Sequence, residues 1–257
     1  LYDSIGIHYD TTRRADPEIA RRLIQHLQIF DDRPVIDIAC GTGNYTIMLK
    51  QSGLHMSGTD ISETMLQAAR KKSAEVDWVQ ADVTQLPFED ESYAGAICLL
   101  AVHHFQDTAR SFQEIHRVLK PGSRFVIFTS SPEQMRKYWL TAYFPSMMEK
   151  SIQQMPDQRV IMNHLEKAGF NVIGTESFMI QPNLQDFFLY SGKYRPEMYL
   201  RDEVRQSISS FANLAEQEEI EEGCRKLSTD IMKRQFIERT RAYTSDLGDY
   251  LFITAEA

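Results

Sequence analysis

The chain has 257 residues, 42% hydrophobic and 25% charged, a composition that suits a globular protein with a sizeable core. A net charge of −8 argues against a nucleic-acid groove as the main feature, and no apolar run reaches the ~20 residues of a membrane span. The cysteines, Cys40, Cys98 and Cys224, are scattered and lack a C-x-x-C pair, which argues against a disulfide framework or zinc site and fits a reducing cytoplasm.

No signal peptide is visible, and the chain opens on Leu1 rather than Met, so its true start stays open. Residues 1–15 carry no clear period and are expected to drape over another part of the molecule. Asp16-Pro17-Glu18 predicts a helix start: an N-cap, then proline at the first helical position. Strand one is predicted at about 34–39. A helix follows at about 44–51 and stops near Gly53. Strand two is His55–Asp60, and Ser62 caps the next helix. Strand three is about Val76–Gln80. Strand four, about Ala94–Leu100, is a continuous apolar run of the kind buried on both faces. A helix at about 107–119 is expected to end at Pro121-Gly122, with strand five at about Arg124–Thr129. Residues 132–155 read as helical and aromatic, 157–168 as a helix ended by Gly169, and 170–180 as a strand. Residues 182–245 read as helical, polar and charged. The last strand is about Asp249–Ala255.

The alternation of strands and helices predicts an α/β protein, a parallel sheet with helices on both faces. Ligands in such sheets bind at the carboxyl ends of the strands. The Gly-Thr-Gly turn at 41–43, Asp60, Asp82 and His103 all fall there. A glycine turn bares backbone N–H groups to a ligand, and an acid at the tip of the next strand can hold a ribose. A dinucleotide site needs G-x-G-x-x-G. Here the spacing is Ala39-x-Gly41-x-Gly43, position 46 is Thr, and Asp37 would repel a pyrophosphate while suiting a cationic or zwitterionic ligand.

Four stretches then point one way: DIACGTGNYT (37–46), GTDIS (58–62), QADVTQLPFEDESY (80–93), and LLAVHHF (99–105) with RVLKPGSRFVI (117–127). Together they resemble class I S-adenosylmethionine-dependent methyltransferases, in the small-molecule branch that includes ubiquinone/menaquinone-type enzymes. The family usually has S-F-D-A-V entering strand four, whereas here the segment is Ser92-Tyr-Ala-Gly-Ala96. The resemblance implies a Rossmann-like, seven-stranded, mostly parallel sheet. Its last strand would insert antiparallel between strands five and six. The core would be 1–131 plus 156–181 and 246–257, with 132–155 and 182–245 forming a helical cap or lid.

The resemblance also implies roles. Gly41 and Gly43, with Ala39 and Asp37, would admit the methionine part of the cofactor, with Leu99 beneath it. Asp60 would accept from both ribose hydroxyls. Ile61 and Met65 would pack on adenine, and Asp82 with the Val83 backbone would take its edge. Tyr9 and Arg13 would close over the cofactor carboxylate. His103 is the candidate general base. His104, Tyr138, Trp139 and Tyr143 are candidates for the acceptor wall, where aromatic faces could bind an apolar or cationic molecule. For His103 and His104 a structural role competes with chemistry, and Tyr138, Trp139 and Tyr143 equally fit a packed cap. No metal is called for.

The expected function is methyl transfer from S-adenosylmethionine to a small-molecule acceptor by in-line displacement, leaving S-adenosylhomocysteine. The alternatives are a non-catalytic or repurposed S-adenosylmethionine-binding protein and an NAD(P)-dependent oxidoreductase. Neither the acceptor nor the oligomeric state is written in the sequence.

Overall fold

In a computed structural model, the structure is described for residues 9–29 and 32–257; the side chains of Tyr9 and Thr11 lie outside that description. Seven strands form one sheet: β1 Pro34–Ile38, β2 His55–Asp60, β3 Asp77–Gln80, β4 Tyr93–Leu99, β5 Leu119–Thr129, β6 Asn171–Phe178 and β7 Tyr250–Glu256. Their order is β3-β2-β1-β4-β5-β7-β6. The first five run parallel, and β7 lies antiparallel between β5 and β6. The strand order reverses between β1 and β4, and ligands in open α/β sheets bind at that switch.

Alternation along the strands builds two cores. Val35, Val126, Phe128 and Phe252 face helices α1 Pro17–Leu27 and α2 Asn44–Gln51. Ile36, Ile38, Phe125, Ile127 and Ile253 face Phe112, Ile115, Ile161 and Leu165 of α4 Thr108–Val118 and α5 Gln158–Lys167. Helix α3 Glu63–Lys72 connects β2 to β3. The expected caps hold: Asp16 accepts from the amides of Glu18 and Ile19, and Ser62 from that of Met65.

The start of β5 differs from the expectation. The strand begins at Leu119, which pairs with Tyr93, and the register then jumps to Gly95 opposite Arg124. Pro121-Gly122 therefore forms an irregularity inside a strand rather than the stop of a helix, with Gly122 at φ +77.

The two helical segments are joined to the sheet. Residues 132–154 supply Tyr138, Trp139, Phe144 and α6 Pro145–Gln154. Residues 196–240 supply Tyr199, Phe211, α7 Ser209–Leu214 and α8 Gln217–Met232. These apolar side chains belong to the same continuous core as Phe128 and Phe252. No helix among the described residues is long and apolar enough to cross a membrane.

Candidate active site

The site begins at the end of β1. Gly43 N donates to Cys40 O at 2.9 Å, which closes the turn. Ala39 and Gly41 both adopt left-handed backbone, φ +56 and +57. A Cβ built on Gly41 would meet nothing within 4 Å, so that backbone is open to a ligand. Gly43 behaves differently. Its Cβ would lie 2.2 Å from the Trp78 indole. Gly43 makes room for Trp78 and is not among the residues lining the cavities described below.

Asp60, at the tip of β2, is tied to that turn. One carboxylate oxygen accepts from Gly41 N at 2.8 Å, the other from Ser62 N at 2.9 Å. Each carboxylate oxygen has further acceptor capacity, the requirement for holding two ribose hydroxyls. Burial pushes the Asp60 carboxyl up, opposed by its backbone hydrogen bonds. Asp82, after β3, accepts from Thr84 N at 2.8 Å and Thr84 Oγ1 at 2.7 Å, and these bonds hold its carboxyl low. Its loop is anchored by α4: Glu114 accepts from Leu86 N, and Arg117 donates to the carbonyls of Leu86 and Phe88.

A cavity of about 1000 Å³ runs over these groups. Arg13, Ala39, Gly41, Asp60, Ile61 and Met65 line one stretch, and Asp82, Val83, Leu99, His103 and His104 continue it. Ile61 is 64% exposed, a large apolar side chain standing in the opening. A smaller recess of about 50 Å³ adjoins at Ala39, Gly41 and Leu99 and is lined by Asp37, Cys40, Tyr45, Arg13 and Asp186. Asp37 is buried at its edge and accepts from Thr46 Oγ1 at 2.6 Å. Burial pushes its carboxyl up to about 7, against the pull of that hydrogen bond.

The opposite wall comes from the helical segments. Its apolar members are Met135, Met155, Phe188, Leu189, Ile208 and Leu214, and its polar members include Ser151, Gln154, Ser209, Ser210 and Asn213. Of the candidate acceptor residues, His104 lines the cavity from the strand-end side, and Tyr138, Trp139 and Tyr143 are not among its lining residues. Tyr138 stacks on Tyr190 at 4.0 Å and donates to the carbonyl of Asp249. Trp139 packs edge-on against Tyr143, Tyr199 and Phe236, and its Nε1 donates to Lys193 O. Tyr143 Oη donates to Asp230 at 3.0 Å. Their polar atoms are satisfied inside the packed aromatic core.

Several contributors carry no local signal in the sequence. Asp186 receives Arg13 in a two-point pair, Nε at 2.5 Å and Nη2 at 3.2 Å. It also accepts from Tyr45 Oη at 3.2 Å. Asp10 accepts from Thr42 Oγ1 and Asn44 Nδ2 and pairs with Lys72, binding the leader to the glycine turn. Tyr9 shares that helical turn, but its side chain lies outside the described residues.

His103 and His104 sit just past β4, with ring centroids 3.9 Å apart. Loss of water around the ring, and then the His104 neighbour, push His103 down to about 3; His104, the more exposed of the two, is also lowered by loss of water. Both are neutral near pH 7.

Comparison with known proteins agrees with this geometry. A methyltransferase-domain family matches residues 36–127. A demethylmenaquinone methyltransferase of Clavibacter sepedonicus is 34% identical over 158 residues, covering 53% of this chain and 64% of that enzyme, just under two thirds. One of Staphylococcus epidermidis is 30% identical over 168 residues, covering 56% of this chain and 70% of that enzyme. A solved structure from Anabaena variabilis, described as a methyltransferase from an antibiotic biosynthesis pathway, matches with a TM-score of 0.86 at 31% identity. That likeness covers 96% of this chain and 99% of the other. The chain belongs to the class I S-adenosylmethionine-dependent methyltransferases.

Proposed function

We propose that the protein transfers a methyl group from S-adenosylmethionine to a small-molecule acceptor bound under the helical segments. The continuity of the large cavity carries this reading. It joins the Gly41–Asp60–Asp82 strip to the wall at Ser209–Leu214, and about 1000 Å³ is the upper end of what one drug-sized ligand fills. There is room for a cofactor and an acceptor side by side.

The residues fit the family's cofactor. Gly41 presents bare backbone, Asp60 two acceptor oxygens, Ile61 and Met65 an apolar face, and Arg13 a cation beside the small recess. The cofactor supplies an electrophilic methyl that an acceptor atom takes in line as the carbon–sulfur bond breaks, the electron pair staying on sulfur. The chain has to align the partners and exclude water, and well-oriented proximity contributes ~7–11 kcal/mol to such steps. The demethylmenaquinone enzymes and the antibiotic-pathway protein are named for small-molecule chemistry, which supports a small acceptor here.

Calorimetry tests the cofactor half. S-adenosylhomocysteine should bind and NAD should not; the reverse would remove the methyltransferase reading. Release of S-adenosylhomocysteine across a metabolite library then identifies the acceptor.

A further inference from the structure

The small recess beside the glycine turn holds an acid that no strand end supplies. Among the described residues that line it, the charged ones are Arg13, Asp37 and Asp186. Asp37 belongs to β1, and with its carboxyl at about 7 it is only part-charged near neutral pH. Asp186 lies outside residues 36–127, the stretch that the methyltransferase-domain family matches. It comes from the segment leading into the helical wall, and that segment is fixed against the leader. Gln185 N donates to the Asp16 carboxylate at 2.9 Å, and Phe187 N donates to Thr12 O at 3.2 Å. Between them the Asp186 side chain is 1% exposed. It meets the Arg13 guanidinium at two points and accepts from Tyr45 Oη. Tyr45 stands on α2, straight after the glycine turn, and its neighbour Asn44 donates to Arg13 O at 3.0 Å.

This arrangement decides which charge the recess accepts. A guanidinium shielded from water attracts anions and repels cations over several ångströms. With the Asp186 carboxylate against it, the two fields largely cancel, and Asp37 tips the balance towards negative. A lone carboxylate then gains little, and an ammonium is no longer repelled. A zwitterion suits such a recess, and the end of the family's cofactor opposite its adenine is an amino acid.

We propose that Asp186 is a specificity-determining residue of the cofactor recess: by balancing Arg13 it lets the ammonium of the cofactor's amino-acid end enter, where Arg13 without it would select an anion. The proposal rests on the methyltransferase reading and adds a residue from the helical segment to the cofactor's specificity. The acid that admits the ammonium is then carried by the chain that runs on into Phe188 and Leu189 of the acceptor wall.

The test is calorimetry on the full chain with three ligands that share an adenosine thioether and differ at the far end. S-adenosylhomocysteine ends in a zwitterion, its decarboxylated analogue in a cation, and methylthioadenosine in an uncharged methyl. Binding of S-adenosylhomocysteine to the wild type is measured first; its failure would overturn the methyltransferase reading and this proposal with it. With that binding established, the wild type should hold the cationic analogue at least as tightly as methylthioadenosine. Asp186→Asn should weaken the cationic analogue roughly tenfold or more and S-adenosylhomocysteine less, and should leave methylthioadenosine within about threefold. Asp186→Glu, which restores the charge, should recover most of the loss. Arg13→Gln is the mirror case: the cationic analogue should gain relative to methylthioadenosine. A purely structural role for Asp186 would weaken all three ligands alike, and that result would overturn the proposal. So would a cationic analogue unaffected by Asp186→Asn. Should neither Asp186 variant fold, Arg13→Gln and the wild-type ranking decide, and a wild type that holds the cationic analogue more weakly than methylthioadenosine would overturn the proposal on its own.

Discussion

Asp60 acts on the turn and on the expected ribose with the same carboxylate. Its two oxygens accept from Gly41 N and Ser62 N, so the acid that faces the cavity also fixes the glycine backbone. Replacing it by Asn puts an N–H where one of those donors points. Asp60→Asn should therefore lose roughly 10–100-fold in S-adenosylhomocysteine affinity by calorimetry, the range for a charge-assisted hydrogen bond. Unchanged affinity would remove Asp60 from the site. Asp37 makes the complementary case. Its carboxyl stands at about 7 in the fold against 3.8 as the ordinary value. Between those values the folded state binds more protons than the unfolded one. The stability tied to this group is thus present below about pH 4 and lost as pH rises through 7. In Asp37→Asn, which can still accept from Thr46, that loss disappears. Urea melts of both proteins at pH 5 and 8 should show the variant gaining relative to wild type, on the order of 1 kcal/mol per pH unit between about 4 and 7 and levelling off above 7. A difference constant across that range would show that Asp37 does not titrate there. The strand-end positions of Gly41, Asp60 and Asp82 were legible in the sequence because their partners lie close along the chain, Gly41 and Asp60 across one β–α–β unit and Asp82 and Thr84 within one turn. Asp186 was not, since it meets Arg13 across 173 residues of chain.

At the scale of elements, most boundaries followed from local signals: Asp16-Pro17, Ser62, Gly53 and the apolar run of β4. Pro121-Gly122 misled because a helix stop and a strand irregularity use the same residues, and only the pairing of Leu119 with Tyr93 separates them. The aromatic segment 138–144 stayed open between a packed cap and an acceptor wall for a related reason. Periodicity shows that those side chains are buried but not against what. Trp139 finds Phe236 and Tyr199, and Tyr143 finds Asp230, all far along the chain. Gly223 shows how such packing can reverse a local rule. It lies within α8, where Gly→Ala ordinarily stabilises by ~1 kcal/mol. A Cβ there would stand 2.6 Å from the carbonyl oxygen of Tyr143 and 2.4 Å from the Phe144 ring. The ring can move, but the backbone carbonyl cannot move cheaply. Overpacking costs about 1–3 kcal/mol, so Gly223→Ala should destabilise on balance, read as a lower urea midpoint. A raised midpoint would mean that α8 sits more loosely on residues 143–144.

At the scale of the molecule, the helical segments bear on the mode of folding as well as on the acceptor. A lid that swings as a separate body needs its own core and a thin junction with the rest. Here Phe144, Tyr199, Phe211 and Leu227 belong to one continuous apolar cluster with Phe128, Phe252 and Val35 of the sheet. Tyr138 is bonded to Asp249 at the start of β7, and Thr12 of the leader to Ser207 beside α7. Losing the helical segments would strip one face of the sheet. Heat should therefore unfold the chain in a single transition seen alike by far-UV circular dichroism and tryptophan fluorescence, with Trp78 reporting the core and Trp139 the aromatic cap. A ligand that bridges the strand ends raises the whole transition. At a hundred times its dissociation constant, S-adenosylhomocysteine adds ~2.7 kcal/mol. For a chain of this size that shifts Tm by roughly 5–10 °C. Two separated transitions, with only the Trp78 signal following the ligand, would mean that the segments unfold on their own and that water exclusion over the site depends on a closing motion rather than on a standing wall.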